Sequence, residues 1–290
     1  MKQSSQKAFS VKRKIKDNAL RFVCLFAATV TLLLLVLLIG YIFYKGLGHI
    51  SWQLLSTAPS ALKGTVGILP NILNTLYIIA LSLLIVFPLG IGSAIYLNEY
   101  AKSKRLVAVI EFATETLAGI PSIIYGLVGM LFFCQFLKLK TSLISGALTL
   151  TIMILPIIIR TTQEALKTVP VAYREGALAL GATKWHTLKT VILPSCLDGI
   201  ITGCILAVGR IVGESAALLF TAGIGTAMAN SLAGALSSSA GTLSVALYVY
   251  VFERGDFDVG FAIAAILLII VFTINSITNL INKKFSKKLK

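Results

Sequence analysis

Runs of about twenty mostly apolar residues, with few or no charges, recur along this 290-residue chain, and few folds can accommodate them. The first, Phe22–Tyr44, contains no charged side chain at all. Others follow at about Ile72–Leu97, Ser122–Leu137, Ser142–Ile159, Leu193–Gly223 and Val259–Ile281. Hydrophobic residues make up 57% of the chain and charged ones 13%, roughly half the charge of a soluble domain. In a bilayer the backbone groups of each run must be satisfied within the run, which selects helices. The expected fold class is therefore an all-α, multi-pass integral membrane protein with six transmembrane helices.

The net charge of +15 does not point to nucleic acid, because the positive residues sit at the ends of the apolar runs. Twenty of the 26 lysines and arginines fall at one set of ends: the first 21 residues, the turn 98–105, the stretch 160–190 and the tail. Only Lys45, Lys63, Lys138, Lys140 and Arg254 fall at the opposite ends, and Arg210 lies inside a run. The positive-inside rule then puts both termini in the cytoplasm. A signal peptide shares the basic start, but this run is longer and ends in bulky YIFYKG, so an uncleaved first span is expected. The resulting layout is a basic tail over 1–21, a span over 22–44, a membrane core over 70–281 with a polar loop at 160–192, and a basic tail over 282–290. A seventh span through Ser231–Phe252 is the alternative. That segment is rich in Ser and Gly, and an outward-facing loop with a partly buried helix fits it better.

The loop between the fourth and fifth spans is the largest polar island within the core. Thr168 is placed to cap a helix with Pro170 in its first turn, running Ala172–Leu180 and stopping at Gly181. Gly181 suits a left-handed C-terminal cap. Thr183 then caps a second helix from Lys184 to about Leu193, which Pro194 bends toward the membrane. Small residues (Gly176, Ala177, Ala179, Gly181, Ala182) line the junction and shape it to enter a groove.

Two further features carry charge. Arg210 and Glu214 are i and i+4 inside the fifth span, beside Gly209-x-x-x-Gly213, a ridge suited to close helix packing. A mid-membrane arginine costs about 2.5–3.5 kcal/mol on insertion scales, so it faces a partner or a polar path. Two readings stay open: a structural ion pair, or a guanidinium that meets an oxyanion. In Leu106–Ala118, Lys104, Glu111 and Glu115 share a stripe, read as either a wet interfacial face or carboxylates on a path. The four cysteines form no CxxC pair and there are only two histidines, so no metal, redox or catalytic site is expected.

Glu175-x-Ala177, Gly181 six residues after the glutamate, then Val191-x-Leu193-Pro194 resembles the EAA loop of permeases in ATP-binding-cassette importers. Gly176 stands for the usual middle alanine and Val191 for isoleucine. Gly209-Arg210-x-x-Gly213-Glu214-Ser215, with LLFTAG after it, is similar to PstA-type permease subunits of phosphate importers. YLNEYA (96–101), LAGIPSIIYGL (117–127) and LPIIIRTTQEALKTVP (155–170) extend that likeness over most of 70–280. Here Gly209 replaces the usual alanine and Ala217 a usual proline.

The resemblance implies a type I importer permease fold in a bacterial inner membrane. It also implies coupling through Glu175, Ala177, Gly181, Leu193 and Pro194 to a separate ATPase dimer. Arg210, Glu214 and Arg160 would lie on the substrate path, although Arg160 also suits an anchor at the headgroups. The implied partners are a second related permease, a periplasmic or extracellular phosphate-binding protein, inorganic phosphate and membrane lipid. No cofactor is implied, and ATP would bind the partner, since the chain lacks GxxxxGK[ST]. Permeases for sulfate or molybdate share this fold and loop. A proton-coupled transporter or a passive anion channel would leave the loop unexplained.

Overall fold

The computed structural model describes residues 2–60, 65–228 and 231–286. Lys63 and the tail residues Lys287, Lys288 and Lys290, part of the charge count, lie outside them. Among the described residues the regular structure is helical, apart from one bridge between Ser60 and Thr65.

Helix α1 runs Lys2–Gly46, so the basic start continues the first span as helix. Nothing interrupts it, because the first proline of the chain is Pro59. A 3-10 turn and the short α2 (Trp52–Ser56) lead to α3 (Leu69–Ile95), which has Pro70 in its first turn and ends in a π-turn, Tyr96–Tyr100. Then α4 (Lys104–Ala118) stops at Gly119–Pro121, and α5 (Ser122–Gly129) leaves at 101° and continues through a wide turn to Phe136. Lys138 and Lys140, both at positive φ, turn the chain into α6 (Leu143–Lys167), capped by the Ser142 hydroxyl.

The sequence suggests that α6 ends near Ile159, yet it runs on for two turns. The reason is tertiary: α4 lies alongside, and its glutamates pair with Arg160 and Lys167 on the extension.

The remaining helices are α7 (Val171–Ala179), α8 (Lys184–Thr187), α9 (Leu193–Gly213), α10 (Ala216–Thr221), α11 (Leu232–Ser237), α12 (Leu243–Tyr248) and α13 (Phe257–Ser286). Among the described residues five stretches are long and apolar enough to cross a membrane: Lys16–His49, Leu69–Tyr100, Leu143–Lys167, Lys184–Gly213 and Phe257–Leu280. The bent pair α4–α5 makes a sixth when it counts as one crossing. A seventh is ruled out, because 231–252 is divided between α11 and α12, and the apolar helix Leu243–Glu253 is too short. The fifth span stops ten residues before Gly223, since α9 ends at Gly213.

The end of α1 meets the start of α13. Tyr41 packs edge-on against Phe261 at 5.6 Å, and His49 faces Asp258 at 3.6 Å. The two helices are therefore antiparallel, and the start of α1 and the end of α13 lie on one side, as the charge count predicts. At the centre α6 packs against α3 and α9. Leu150, Ile154 and Ile158 form a buried i, i+4 stripe that meets Ile78 and Val86 on one side and Ile211 on the other. In lipid such contacts hold by close packing rather than by escape from water, so small residues matter. A side chain at Gly90 would run into Ile158.

The connection after α10 is pinned by polar contacts. Asn71 and Asn74 on α3 donate to the Gly241 carbonyl at 2.8 and 3.2 Å, and the Leu243 amide donates to Thr75. By contrast α1 is exposed along its apolar length, a surface suited to lipid.

Candidate functional site

The polar island forms a helical corner. Thr168, expected to cap α7, instead closes α6, its hydroxyl donating to the Ala165 carbonyl at 2.7 Å. Pro170 takes the N-terminal position of α7, where its missing N–H leaves one fewer donor to satisfy. Gly181 has φ +84°, the left-handed conformation its type favours. Its amide donates to Leu178 at 3.0 Å and that of Ala182 donates to Ala177 at 3.1 Å, the paired bonds of a Schellman closure. Thr183 caps α8, its hydroxyl accepting from the His186 amide at 3.3 Å.

From Lys184 the chain stays helical to Gly213, so Pro194 does not separate α8 from the fifth span. The turn Leu188–Ile192 widens to π geometry just ahead of Pro194. That widening accommodates the hydrogen bond a proline cannot donate.

One side of the corner is anchored. Leu188, Ile192 and Cys196 pack with Ala165, Leu166 and Val169, while Leu193 and Pro194 are half-buried. The other side is bare: Leu180 is 91% exposed, Trp185 is 62% exposed, and Glu175 and Gly176 are open beside them. Ala177 lies half-buried at the junction.

Sequence reasoning missed what holds the base of this corner. Arg174 donates to Glu99, in the π-turn after α3, at 3.0 Å, and to the Leu166 carbonyl at 2.8 Å. Charge at both positions was the available signal, but 75 residues separate them and only the fold brings them together.

Further along α6, Arg160 pairs with Glu115 at 3.2 Å and with Glu164 at 3.3 Å. Gln163 donates to Glu111 at 3.4 Å, and Lys167 lies 3.8 Å from the same carboxylate. Glu111 and Glu115 therefore face α6, and Glu115 lines a cleft of about 170 Å³ together with Arg160 and Glu164.

The Arg210–Glu214 region departs most from expectation. Glu214 is not the next turn of the same helix, because α9 ends at Gly213 and Glu214 is extended, at φ −80°, ψ 120°. Its buried carboxylate accepts from the Ala217 amide at 3.0 Å and so caps α10, while its carbonyl accepts from Ser244 at 2.6 Å. Among the described residues Arg210 makes no ion pair or hydrogen bond, with Glu214 or with any other group.

Arg210 lies instead on an exposed stripe of α9 with Thr202, Leu206 and Gly213. A Cβ added at Gly209 or Gly213 would meet nothing within 4 Å, so among the described residues the packing expected of that ridge is not made. Gly203 lies against Thr161, which sets Arg160 at nearly the same level. Arg210 is thus about 10 Å further along α9, at 1.5 Å per residue.

Known proteins place this geometry in a family. The chain is 40% identical over 218 residues to the probable ABC transporter permease protein YqgI of Bacillus subtilis, covering 75% of this chain and 74% of that protein. It is 35% identical over 224 residues to the phosphate transport system permease protein PstA of Xylella fastidiosa, covering 77% of each. A PstA homolog of Mycoplasma pneumoniae is 38% identical over 207 residues, which span only 31% of that longer protein.

The fold is shared with solved importer structures. For the MetNI methionine ABC transporter in an inward-facing form, the TM-score is 0.62 at 20% identity, over 75% of this chain and 95% of that one. For a bacterial alginate ABC transporter in complex with its periplasmic protein, the TM-score is 0.66 at 17% identity, over 92% and 96%. With residues 86–290 matched by the family model, this chain belongs to the binding-protein-dependent transport system inner membrane components.

Proposed function

We propose that this permease moves inorganic phosphate into the cytoplasm, driven by ATP hydrolysis on a separate ATPase dimer. The observation that carries the reading is Arg210, an exposed guanidinium with no ion pair or hydrogen bond among the described residues, on an uncovered face of a membrane helix. Exposed to lipid it would be costly, so that face meets another protein or a polar path. A guanidinium fork offers a tetrahedral oxyanion paired hydrogen bonds. Relatives named as phosphate transport permeases support phosphate over other oxyanions.

In this reading a second, related permease covers the α9 stripe, and the anion passes between the two. A phosphate-binding protein delivers it from outside. Arg160, about 10 Å closer to the corner, receives it by exchanging Glu115 or Glu164 for phosphate. Glu214 contributes by fixing the break that ends α9 just beyond Arg210. Glu175, Gly181 and the bare apolar tip enter a groove of the ATPase, and closure of the ATPases pulls the corner and rocks the spans.

The test is phosphate uptake by vesicles holding the chain with its ATPase, second permease and binding protein. Uptake should require ATP and fall away with a hydrolysis-dead ATPase. Uptake that continues without ATP would return the chain to a proton-coupled carrier or a channel. A preference for sulfate or molybdate would overturn phosphate as the substrate.

A further inference from the structure

The corner must transmit movement to the spans, and its apolar anchor is poorly suited to pulling in one direction. Contacts such as those of Leu188 and Ile192 resist separation but permit sliding. The Arg174–Glu99 pair is different. Its 3.0 Å contact is directional, and the two side chains are only 23% and 19% exposed. The Arg160 pairs, at about 60% exposure, are screened by solvent in a way this one is not.

One guanidinium here joins three elements. It projects from α7, donates to Leu166 near the end of α6, and meets Glu99 beyond the end of α3. Glu99 is steadied in turn by the Asn98 side-chain amide at 2.8 Å. The pair bounds a cleft of about 80 Å³ also lined by Tyr100, Leu178, Lys184 and Thr187, so it bridges a gap. Arg174 Nε is buried without a partner. That spare donor is available for a second arrangement, in which the fork grips both oxygens of Glu99.

We propose that Arg174 and Glu99 are positioning residues that form the joint through which the corner moves α3 and α6. The proposal rests on the reading of the corner as the ATPase-coupling element. Without the joint the ATPase still docks on the exposed tip and still hydrolyses ATP, but less of its movement reaches the spans.

The experiment measures phosphate imported per ATP hydrolysed in vesicles of the full complex, for Arg174→Gln, Glu99→Gln and the double variant. Each single variant should lower that ratio about tenfold, the scale of a charge-assisted hydrogen bond, with ATPase co-purification unchanged. The double variant should lose no more than the worse single one, since both remove the same contact. Single variants that keep the ratio within about twofold, or a double variant whose losses multiply, would overturn the joint. So would uptake that falls only in step with the amount of assembled complex. An unaltered chain that assembles with no ATPase would overturn the coupling reading, and the joint with it.

Discussion

The corner around Gly181 and the break at Glu214 are both places where a helix stops and another begins, yet they are built in opposite ways. The corner is specified locally. A glycine at φ +84° ends α7, a threonine two residues later starts α8, and the tip faces outward. The Glu214 break is specified from a distance. Ser244, thirty residues on, takes its carbonyl, and its own carboxylate turns to cap α10. The first arrangement leaves an apolar surface for a partner, and the second leaves a charge on an uncovered face. Under the proposed function, the driving contact and the transported anion fall to separate helix ends of one chain.

The largest effect should come from the bare tip. Leu180→Asp puts a charge where an apolar side chain is 91% exposed. Co-purification of the ATPase should weaken by about 2 kcal/mol or more, as for an interface hot spot, while the isolated permease keeps its thermal stability. Full ATPase recovery would detach the corner from coupling.

Glu214→Ala should act inside the chain. It leaves the Ala217 amide unsatisfied in a buried place, which costs about 1–3 kcal/mol in thermal unfolding. Glu214→Gln keeps an acceptor and should cost less. If instead Glu214→Gln and Arg210→Gln show strong non-additivity in stability, the two residues pair after all, and the contrast between the regions narrows.

Gly181→Ala is the mildest of the three. A Cβ there meets nothing within 4 Å, so only the left-handed backbone is strained, at about 1–2 kcal/mol. The effect should appear as fraying of the corner in hydrogen exchange, without loss of the spans.

This difference in construction also explains what the sequence could reveal. The spans, the Gly119–Pro121 break, Gly181 and the Thr183 cap follow from apolar run length and from residues with strong local preferences. Where a tertiary partner decides, local signals mislead. Thr168 sits where a cap is wanted but is absorbed by the preceding helix. Pro194 suggests a bend, but a π-turn ahead of it keeps the helix continuous. Arg210 and Glu214 have the spacing of an ion pair, which holds only while the helix continues, and it stops between them. The pair that does form at the corner, Arg174 with Glu99, has no spacing rule to disclose it.

The central claim is that the corner drives transport while Arg210 meets the anion, and one measurement addresses it directly. ATP-dependent phosphate uptake should be compared between vesicles holding the unaltered complex and vesicles holding Arg210→Gln, with ATPase assembly measured in the same preparation. The prediction is normal assembly with uptake reduced at least about tenfold, from the lost charged hydrogen bonds. Undiminished uptake with normal assembly would contradict it, and would leave Arg210 as a packing residue beneath whatever protein covers that face.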